Sequence, residues 1–160
     1  MSLFEPAIAF VLAHEGGYSN NPADKGGPTN FGLSQRQYPT MKMRSLTREQ
    51  AIEIYRRDYW LTIYEQIVNQ AVANKVFDMA VNMGPGIAHR LLQRACIDCG
   101  QPVGVDGVVG PVTIKAVNKI MPFDLLQALR QRAAERYHEI AAADPTQTVF
   151  LKGWLDRANG

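Results

Sequence analysis

Apolar residues recur with helical spacing along most of the chain. Near the N-terminus, the residues at i, i+4, i+7 and i+8 form one face of an amphipathic helix, and they are Phe4, Ile8, Val11 and Leu12. Further helical patterns cover residues 47–59, 70–82, 87–99 and 122–143. The longest has an apolar stripe of Leu125, Leu126, Leu129, Ala133, Tyr137 and Ile140, with charged residues opposite. These patterns predict a mostly α-helical protein.

Local signals mark where these helices begin and end. Thr47 with Gln50 three residues later has the spacing of a capping box, and Pro111 suits the first position of a helix. Breaks at residues 83–86 and 100–111 contain Gly and Pro. We expect both breaks to be connections within one compact body.

The first helical pattern stops at a glycine-rich segment. Gly16 and Gly17 favour a left-handed C-cap, which would place Glu15 on the last turn of the helix with its side chain facing the loop. Asp24 follows nine positions later among Gly, Pro and Asn residues. Residues 29–33 have the pattern of a short extended element. The fold class is therefore mostly α (α+β), with a small β element near residues 29–33.

Glu15, Asp24 and Thr29 are together sufficient for the chemistry of an inverting glycosidase. Such an enzyme needs a carboxylic acid that protonates the leaving oxygen and a carboxylate that activates a water on the opposite face of the sugar. A hydroxyl group can help to hold that water. The alternative interpretation is that Asp24 only forms a turn and that Thr29 is an ordinary strand residue.

Four motifs stand out along the chain, and residues 15–32 carry the longest of them, EGGYSNNPADKGGPTNFG. The others are FDMAVNMG at 77–84, VDGVVGPVT at 105–113 and GWLDR at 153–157. In this order the motifs resemble those of glycoside hydrolase family 108, a family of phage and bacterial N-acetylmuramidases. The resemblance covers nearly the whole chain, although Gly16 and Lys25 differ from the residues common in the family.

The resemblance implies a lysozyme-like fold and cleavage of the bond between N-acetylmuramic acid and N-acetylglucosamine. It assigns Glu15 as the catalytic acid. The order of Glu15, Asp24 and Thr29 is also similar to phage-type lysozymes, in which the corresponding residues are acid, base and water-holding threonine. An apolar environment at the end of its helix is expected to keep Glu15 protonated.

Three further residues are expected to bind the substrate: Tyr18, Asn30 and Asn82. Tyr18 and Asn30 lie in the first motif, and Asn82 follows a buried helix in the second. The Asn82 amide could equally close the turn at the end of that helix. The cluster of Tyr59, Trp60 and Tyr64 could stack on sugars or pack in the core.

The resemblance divides the chain into a catalytic part, residues 1–86, and a helical part, residues 87–160. The second part is similar to the predicted peptidoglycan-binding domain that accompanies the family. We expect the two parts to pack into one body. A glycan-binding role for the second part rests on the resemblance alone, because Asp106 and Gly107 would form a tight turn in any case.

The composition of the chain narrows the classes of molecule that we expect it to bind. The formal net charge of +2 and the pI near 8.6 favour encounter with an anionic cell wall. No basic run interleaved with aromatic residues indicates nucleic acid, and no stretch is long enough to span a bilayer. Cys96 and Cys99 lack a second metal-binding pair, so we expect reduced, packed thiols, no metal and no cofactor.

The expected partner is therefore the glycan strand of peptidoglycan, bound by a monomer. The N-terminus lacks the features of a signal peptide. A phage endolysin of this kind would be made in the host cytoplasm and reach the wall through a holin-type pore. Two alternatives stay open: a lytic transglycosylase, in which Glu15 acts alone, and a non-catalytic peptidoglycan-binding or secretion-assisting protein.

Overall fold

The computed structural model describes residues 1–20 and 26–160, so Asp24 lies outside the described residues. Seven α-helices are found in this part of the chain: α1 (Phe4–His14), α2 (Arg48–Asp58), α3 (Gln70–Met83), α4 (Pro85–Asp98), α5 (Pro111–Lys119), α6 (Pro122–Ala143) and α7 (Thr148–Asn159). Strands β1 (Thr29–Asn30) and β2 (Leu33–Ser34) form a two-stranded sheet. The predicted mostly-α class and the small β element are confirmed.

Helix α3 is the centre of the core. Its residues from Val72 to Ala80 are buried except Asn74. Helix α1 packs on it through Phe4, Ala7, Ile8 and Val11, and α4 and α6 pack on other sides. A helix surrounded in this way needs apolar side chains on most of its circumference. A charged residue on α3 therefore requires a buried partner.

The aromatic cluster belongs to this core. The Trp60 ring lies 5.6 Å from Phe4, 5.3 Å from Phe77 and 5.6 Å from Tyr64, measured between ring centroids. Trp60 and Tyr64 are buried. Edge-to-face packing of this kind stabilises a core beyond the area buried. Trp60 and Tyr64 therefore support the fold and are not sugar platforms.

The end of α1 differs from the sequence prediction. The helix stops at His14, and Glu15 already has an extended backbone, with φ −89° and ψ 133°. Neither Gly16 nor Gly17 has a positive φ. The left-handed glycine cap was therefore wrong. The chain instead runs on in an extended form and pairs Ser19 with Thr29 of the hairpin.

His89 connects the first and second halves of the chain. Its Nε2 accepts a hydrogen bond from the Tyr64 hydroxyl at 2.7 Å, and its Nδ1 donates to the Gly107 carbonyl at 3.0 Å. The Gln93 side chain holds the same turn through Asp106 and the Gly107 amide. The turn at Asp106 and Gly107 is therefore part of the internal packing.

We expect this connection to make stability depend on pH. Burial lowers the pKa of His89, although its hydrogen bond to Gly107 raises it. The unfolded chain then binds the proton more readily, so the free energy of unfolding falls as the pH drops below about 6.5. Denaturant titrations between pH 7.5 and 5.5 would measure this decrease.

The control is a comparison of two variants. In His89→Gln, the free energy of unfolding should fall much less over this pH interval than it does in the wild type. In His138→Gln, which changes an exposed histidine, it should fall as it does in the wild type. An unchanged pH slope in His89→Gln would contradict the assignment.

Candidate active site

Glu15 is fixed by an arginine from the other end of the chain. Its Oε1 lies 2.5 Å from Nη1 of Arg157 on α7, a residue 142 positions later. Arg157 also donates from Nε to Asp78 Oδ1 at 2.9 Å, and its Nη2 lies 2.8 Å from the same oxygen. The side chains of Glu15, Arg157 and Asp78 are 12%, 10% and 2% exposed. The three side chains form one largely buried network.

The network keeps the guanidinium charged. Burial alone lowers the pKa of Arg157, but the carboxylates of Asp78 and Glu15 outweigh that effect and raise it above its ordinary value. A buried cation is tolerated only when it is paired and hydrogen-bonded. Arg157 therefore acts as a permanent positive charge beside the Glu15 carboxyl group.

Lys75 holds the end of α7 from the same helix that carries Asp78. Its ammonium group donates to the carbonyl oxygens of Arg157 and Ala158 at 2.8 Å and 2.7 Å. Burial lowers the pKa of Lys75 to about 8. Because the last carbonyls of a helix have no intrahelical partner, a lysine there stabilises the helix end. Lys75 and Asp78 together set the position of Arg157.

The hairpin tip closes the other side of Glu15. A Cβ atom on Gly32 would lie 2.5 Å from the Glu15 carboxyl carbon and 2.6 Å from the Tyr55 hydroxyl. Gly32 also has φ +80°, and the neighbouring Phe31 has φ 50°. Positive φ at both residues is typical of a two-residue hairpin turn. Tyr55 donates to the Phe31 carbonyl at 2.7 Å and so fixes the turn.

These residues border an open cleft of about 430 Å³, which we call the Glu15 cleft. It is lined by Glu15, Gly26, Thr29, Gly32, Ser34, Gln37, Val81, Asn82, Gln147, Phe150 and Trp154. The hairpin forms one wall, the end of α3 forms the floor, and the start of α7 forms the opposite wall. Both halves of the chain therefore contribute to it.

Three of the residues predicted from the sequence meet in this cleft: Glu15, Thr29 and Asn82. The Thr29 hydroxyl donates to the Gly27 carbonyl at 3.0 Å. The Asn82 amide donates to the Tyr137 hydroxyl, and the Tyr137 ring stacks on Trp154 at 5.4 Å. Asn82 thus both lines the cleft and supports its aromatic wall.

Asn30 has a structural position. It is 5% exposed, and its amide donates to the carbonyl oxygens of Met43 and Leu46 at 2.8 Å and 3.4 Å. The side chain points into the protein because it satisfies the backbone of the neighbouring loop. The geometry therefore gives no support to the prediction that it binds substrate.

Tyr18 lies outside the Glu15 cleft. Its ring faces the Arg44 guanidinium at 5.3 Å and lines a neighbouring pocket of about 400 Å³ with Pro28, Gln35 and Lys42. Contact of Tyr18 with a sugar at Glu15 therefore has no support from its position. The surroundings of Glu15 also differ from the expected apolar environment, because Arg157 is its nearest partner.

Sequence reasoning missed Arg157, Asp78, Gly32 and Trp154 as site residues. A charged residue within a buried apolar pattern was the available signal for Asp78 and Arg157, because such residues are rarely buried without a partner. No signal in the sequence shows that the two pair with each other. Nothing in the sequence distinguished Gly32 from the other glycines of the loop.

Neither a metal cluster nor a membrane helix is found in the described ranges. No group of three His, Cys, Asp or Glu residues there could hold a metal ion. No helix in residues 1–20 and 26–160 is long and apolar enough to cross a bilayer. Cys96 is buried and free, and burial raises its pKa to about 12, which suits an unreactive packed thiol.

Comparison with known proteins agrees with this architecture. Residues 8–84 match the family model described as glycosyl hydrolase 108, and residues 87–159 match the predicted peptidoglycan domain. The solved structure of Brucella abortus SagA superposes with a TM-score of 0.76 at 29% sequence identity, over 97% of this chain and 88% of that one. Among curated protein sequences, none matches the chain.

The first half of the chain is therefore a glycosyl hydrolase 108 domain, and a peptidoglycan domain follows it. The expected lysozyme-like fold is confirmed. The family match indicates a glycoside hydrolase, and the two domains point to peptidoglycan as the substrate.

Gly32 provides a test of this site. We expect Gly32→Ala to lower the free energy of unfolding by at least about 1–3 kcal/mol, the usual cost of a left-handed backbone for a residue with a Cβ. It should also reduce wall cleavage because the new methyl group displaces the Glu15 carboxyl group. Denaturant unfolding and a turbidity assay on permeabilised cells would measure both effects.

Gly100→Ala is the matched control. Gly100 has φ +79°, but no atom lies within 4 Å of its added Cβ. It should lose stability through the same backbone strain while its cleavage rate stays unchanged. Equal activity losses in the two variants would contradict a contact of Gly32 with Glu15.

Proposed function

We propose that the chain is a lysozyme-type N-acetylmuramidase, which hydrolyses the β-1,4 bond between N-acetylmuramic acid and N-acetylglucosamine. The observation that carries this proposal is the position of Glu15, a largely buried carboxyl group held by Arg157 at the side of an open cleft. A general acid must be fixed within reach of the leaving oxygen. A cleft open to the surface is accessible to a glycan strand.

In the proposed reaction, Glu15 donates its proton to the glycosidic oxygen as the bond to the anomeric carbon breaks. Asp24 takes a proton from water, and the resulting hydroxide adds to that carbon from the opposite face. Gly26, two residues after Asp24 in the chain, lines the cleft, as does Thr29, the proposed water holder. Solvent exchange then returns the proton to Glu15 and removes it from Asp24.

Arg157 contributes to the step in which Glu15 loses its proton. Negative charge then develops on a carboxyl oxygen that lies 2.5 Å from the guanidinium. A fixed cation in a site with little water stabilises such charge without reorganisation. Asp78 and Lys75 fix the position of Arg157, because Asp78 pairs with its guanidinium group and Lys75 binds the end of its helix.

The aromatic wall supports a sugar substrate. Trp154 and Phe150 border the cleft opposite the hairpin, and Trp154 is backed by Tyr137. An aromatic ring with an apolar face suits the apolar face of a pyranose, while polar residues such as Gln37, Asn82 and Gln147 suit its hydroxyl groups. A saccharide fits this combination better than a purely apolar ligand does.

The biological setting is also part of the proposal. We infer a phage endolysin that acts as a monomer and gains access to the wall through a holin-type pore. The family resemblance supports this setting.

We expect Glu15→Gln to lower the rate of wall cleavage by a factor of about 100 to 10,000, the usual contribution of a general acid. The amide keeps the size of the side chain but has no acidic proton. Loss of turbidity of outer-membrane-permeabilised cells would measure the rate, and circular dichroism would check folding.

Glu49→Gln, which changes an exposed carboxylate on α2, is the control and should keep full activity. An equally active, folded Glu15→Gln protein would refute the assignment.

Mass spectrometry of the digested wall completes this experiment. Hydrolysis leaves reducing sugar ends, and Asp24→Asn, assayed alongside, should lose most of the activity. Anhydromuramyl ends together with an active Asp24→Asn variant would instead assign the chain as a lytic transglycosylase. No cleavage product at all would favour a non-catalytic wall-binding protein.

A further inference from the structure

A second groove lies between α4 and α6, within the peptidoglycan domain. It has a volume of about 240 Å³ and is lined by Ile87, Arg90, Leu91, Arg94, Arg132, Glu135, Arg136 and Glu139. We call it the arginine groove. Four arginines against two glutamates give its lining a net charge of +2. The groove is therefore suited to a ligand that carries negative charges.

Two of the four arginines are already neutralised. Arg132 donates to both oxygens of Asp98 at 2.7 Å and 2.6 Å, and it also pairs with Glu135 at 3.0 Å. Arg136 pairs with Glu139 at 3.1 Å. These internal ion pairs hold the side chains of Arg132 and Arg136 in place along the groove.

The other two arginines make no ion pair of this kind, although Arg90 lies against the turn at Gly107 and its charge lowers the pKa of the Asp106 carboxyl group. Arg90 and Arg94 lie at i and i+4 on α4, so their side chains lie on the same helix face about 5–6 Å apart at Cβ. Neither forms an ion pair with a residue of the described ranges. The groove thus offers the guanidinium donors of Arg90 and Arg94 to a ligand.

Helix α6 contributes both to the arginine groove and to the surroundings of the Glu15 cleft. Arg136 precedes Tyr137, whose hydroxyl group accepts the hydrogen bond of Asn82 in that cleft. A glycan strand in the cleft would carry short peptides on its muramic acid residues. An extended peptide of four residues spans about 13–14 Å, and this length sets how far a stem can reach from a strand bound in the cleft.

We propose that the arginine groove binds the peptide stems of peptidoglycan through their carboxylate groups. This inference rests on the proposed function, because it takes peptidoglycan as the substrate. Guanidinium groups pair with carboxylates through two parallel hydrogen bonds. Donors spaced along a helix match several carboxylates spaced along a peptide.

The mixed charge of the groove favours a peptide over a phosphate-bearing polymer or lipid surface. The groove lining contains glutamates as well as arginines, and the peptide stems likewise carry amino groups as well as carboxylates. Leu91 and Ile87 add apolar contact for the aliphatic parts of the stem. We therefore assign the groove to the peptide.

The test measures binding by the full chain with Glu15→Gln, so that the ligand is not consumed. Isothermal titration calorimetry would compare soluble glycan strands that carry uncrosslinked stems with the same strands after an amidase has removed the stems. We expect Arg90→Gln with Arg94→Gln to weaken binding of stem-bearing strands by about tenfold and to leave binding of bare strands unchanged. Exposed surface arginines can be replaced without loss of folding.

The control removes the same charge elsewhere. Arg48→Gln with Lys115→Gln changes two exposed cations outside the groove and should alter binding of stem-bearing strands by less than threefold. A loss below threefold in the groove variant, an equal loss on bare strands or an equal loss in the control would overturn the proposal. A loss confined to phosphatidylglycerol vesicles would assign the groove to phosphate and overturn it as well.

Failure of the proposed function would be seen separately. Wild-type chain incubated with bare strands reports hydrolysis without any contribution from the stems. If it releases no products, the muramidase proposal fails, while the binding comparison still decides whether the groove recognises the peptide.

Discussion

A guanidinium group buried between two carboxyl groups is the interaction on which the site depends. Arg157 lies on the last helix, Asp78 on the central helix and Glu15 just beyond the first helix. Taking charges out of water is costly, so the network is stable only when all three members are in place. Removing one partner from such a pair commonly costs about 3–5 kcal/mol. Helix α7 must therefore pack close to the end of α1 in the folded protein.

This constraint explains why both halves of the chain build one cleft. Residues 1–86 supply the proposed acid, the hairpin and the floor. Residues 87–160 supply the aromatic wall and the arginine beside the acid. The division of the chain near residue 86 stays a prediction, and it does not separate a complete site from an accessory one. Neither half has the cleft on its own.

The elements of the fold were largely predictable, because helical periodicity and capping are local properties. The capping box of Thr47 and Gln50 is present, and both prolines at 111 and 122 begin helices. The end of α1 was mispredicted because Glu15 leaves the helix with an extended backbone, and the chain goes on to pair Ser19 with Thr29 of the hairpin. The local preference of glycine for a cap does not report a tertiary contact of this kind.

The site was predictable only in part for the same reason. Glu15, Thr29 and Asn82 stood out by chemistry or motif, and they do line one cleft. Arg157 could not be connected with Glu15, since no periodicity reports a contact across 142 positions. Asn30 is the opposite case: a polar residue within a motif was predicted to bind substrate, and this stays a prediction that gains no support from an amide holding the carbonyl groups of Met43 and Leu46.

The most direct test is a double-mutant cycle between Glu15 and Arg157. The free energies of unfolding of the wild type, Glu15→Gln, Arg157→Gln and the double variant would be measured by denaturant titration at pH 7. Residues in direct contact have interaction energies of about 0.5–3 kcal/mol, and we predict a favourable value of at least about 1 kcal/mol. Additivity within about 0.3 kcal/mol would show that the two side chains do not interact and would contradict the account.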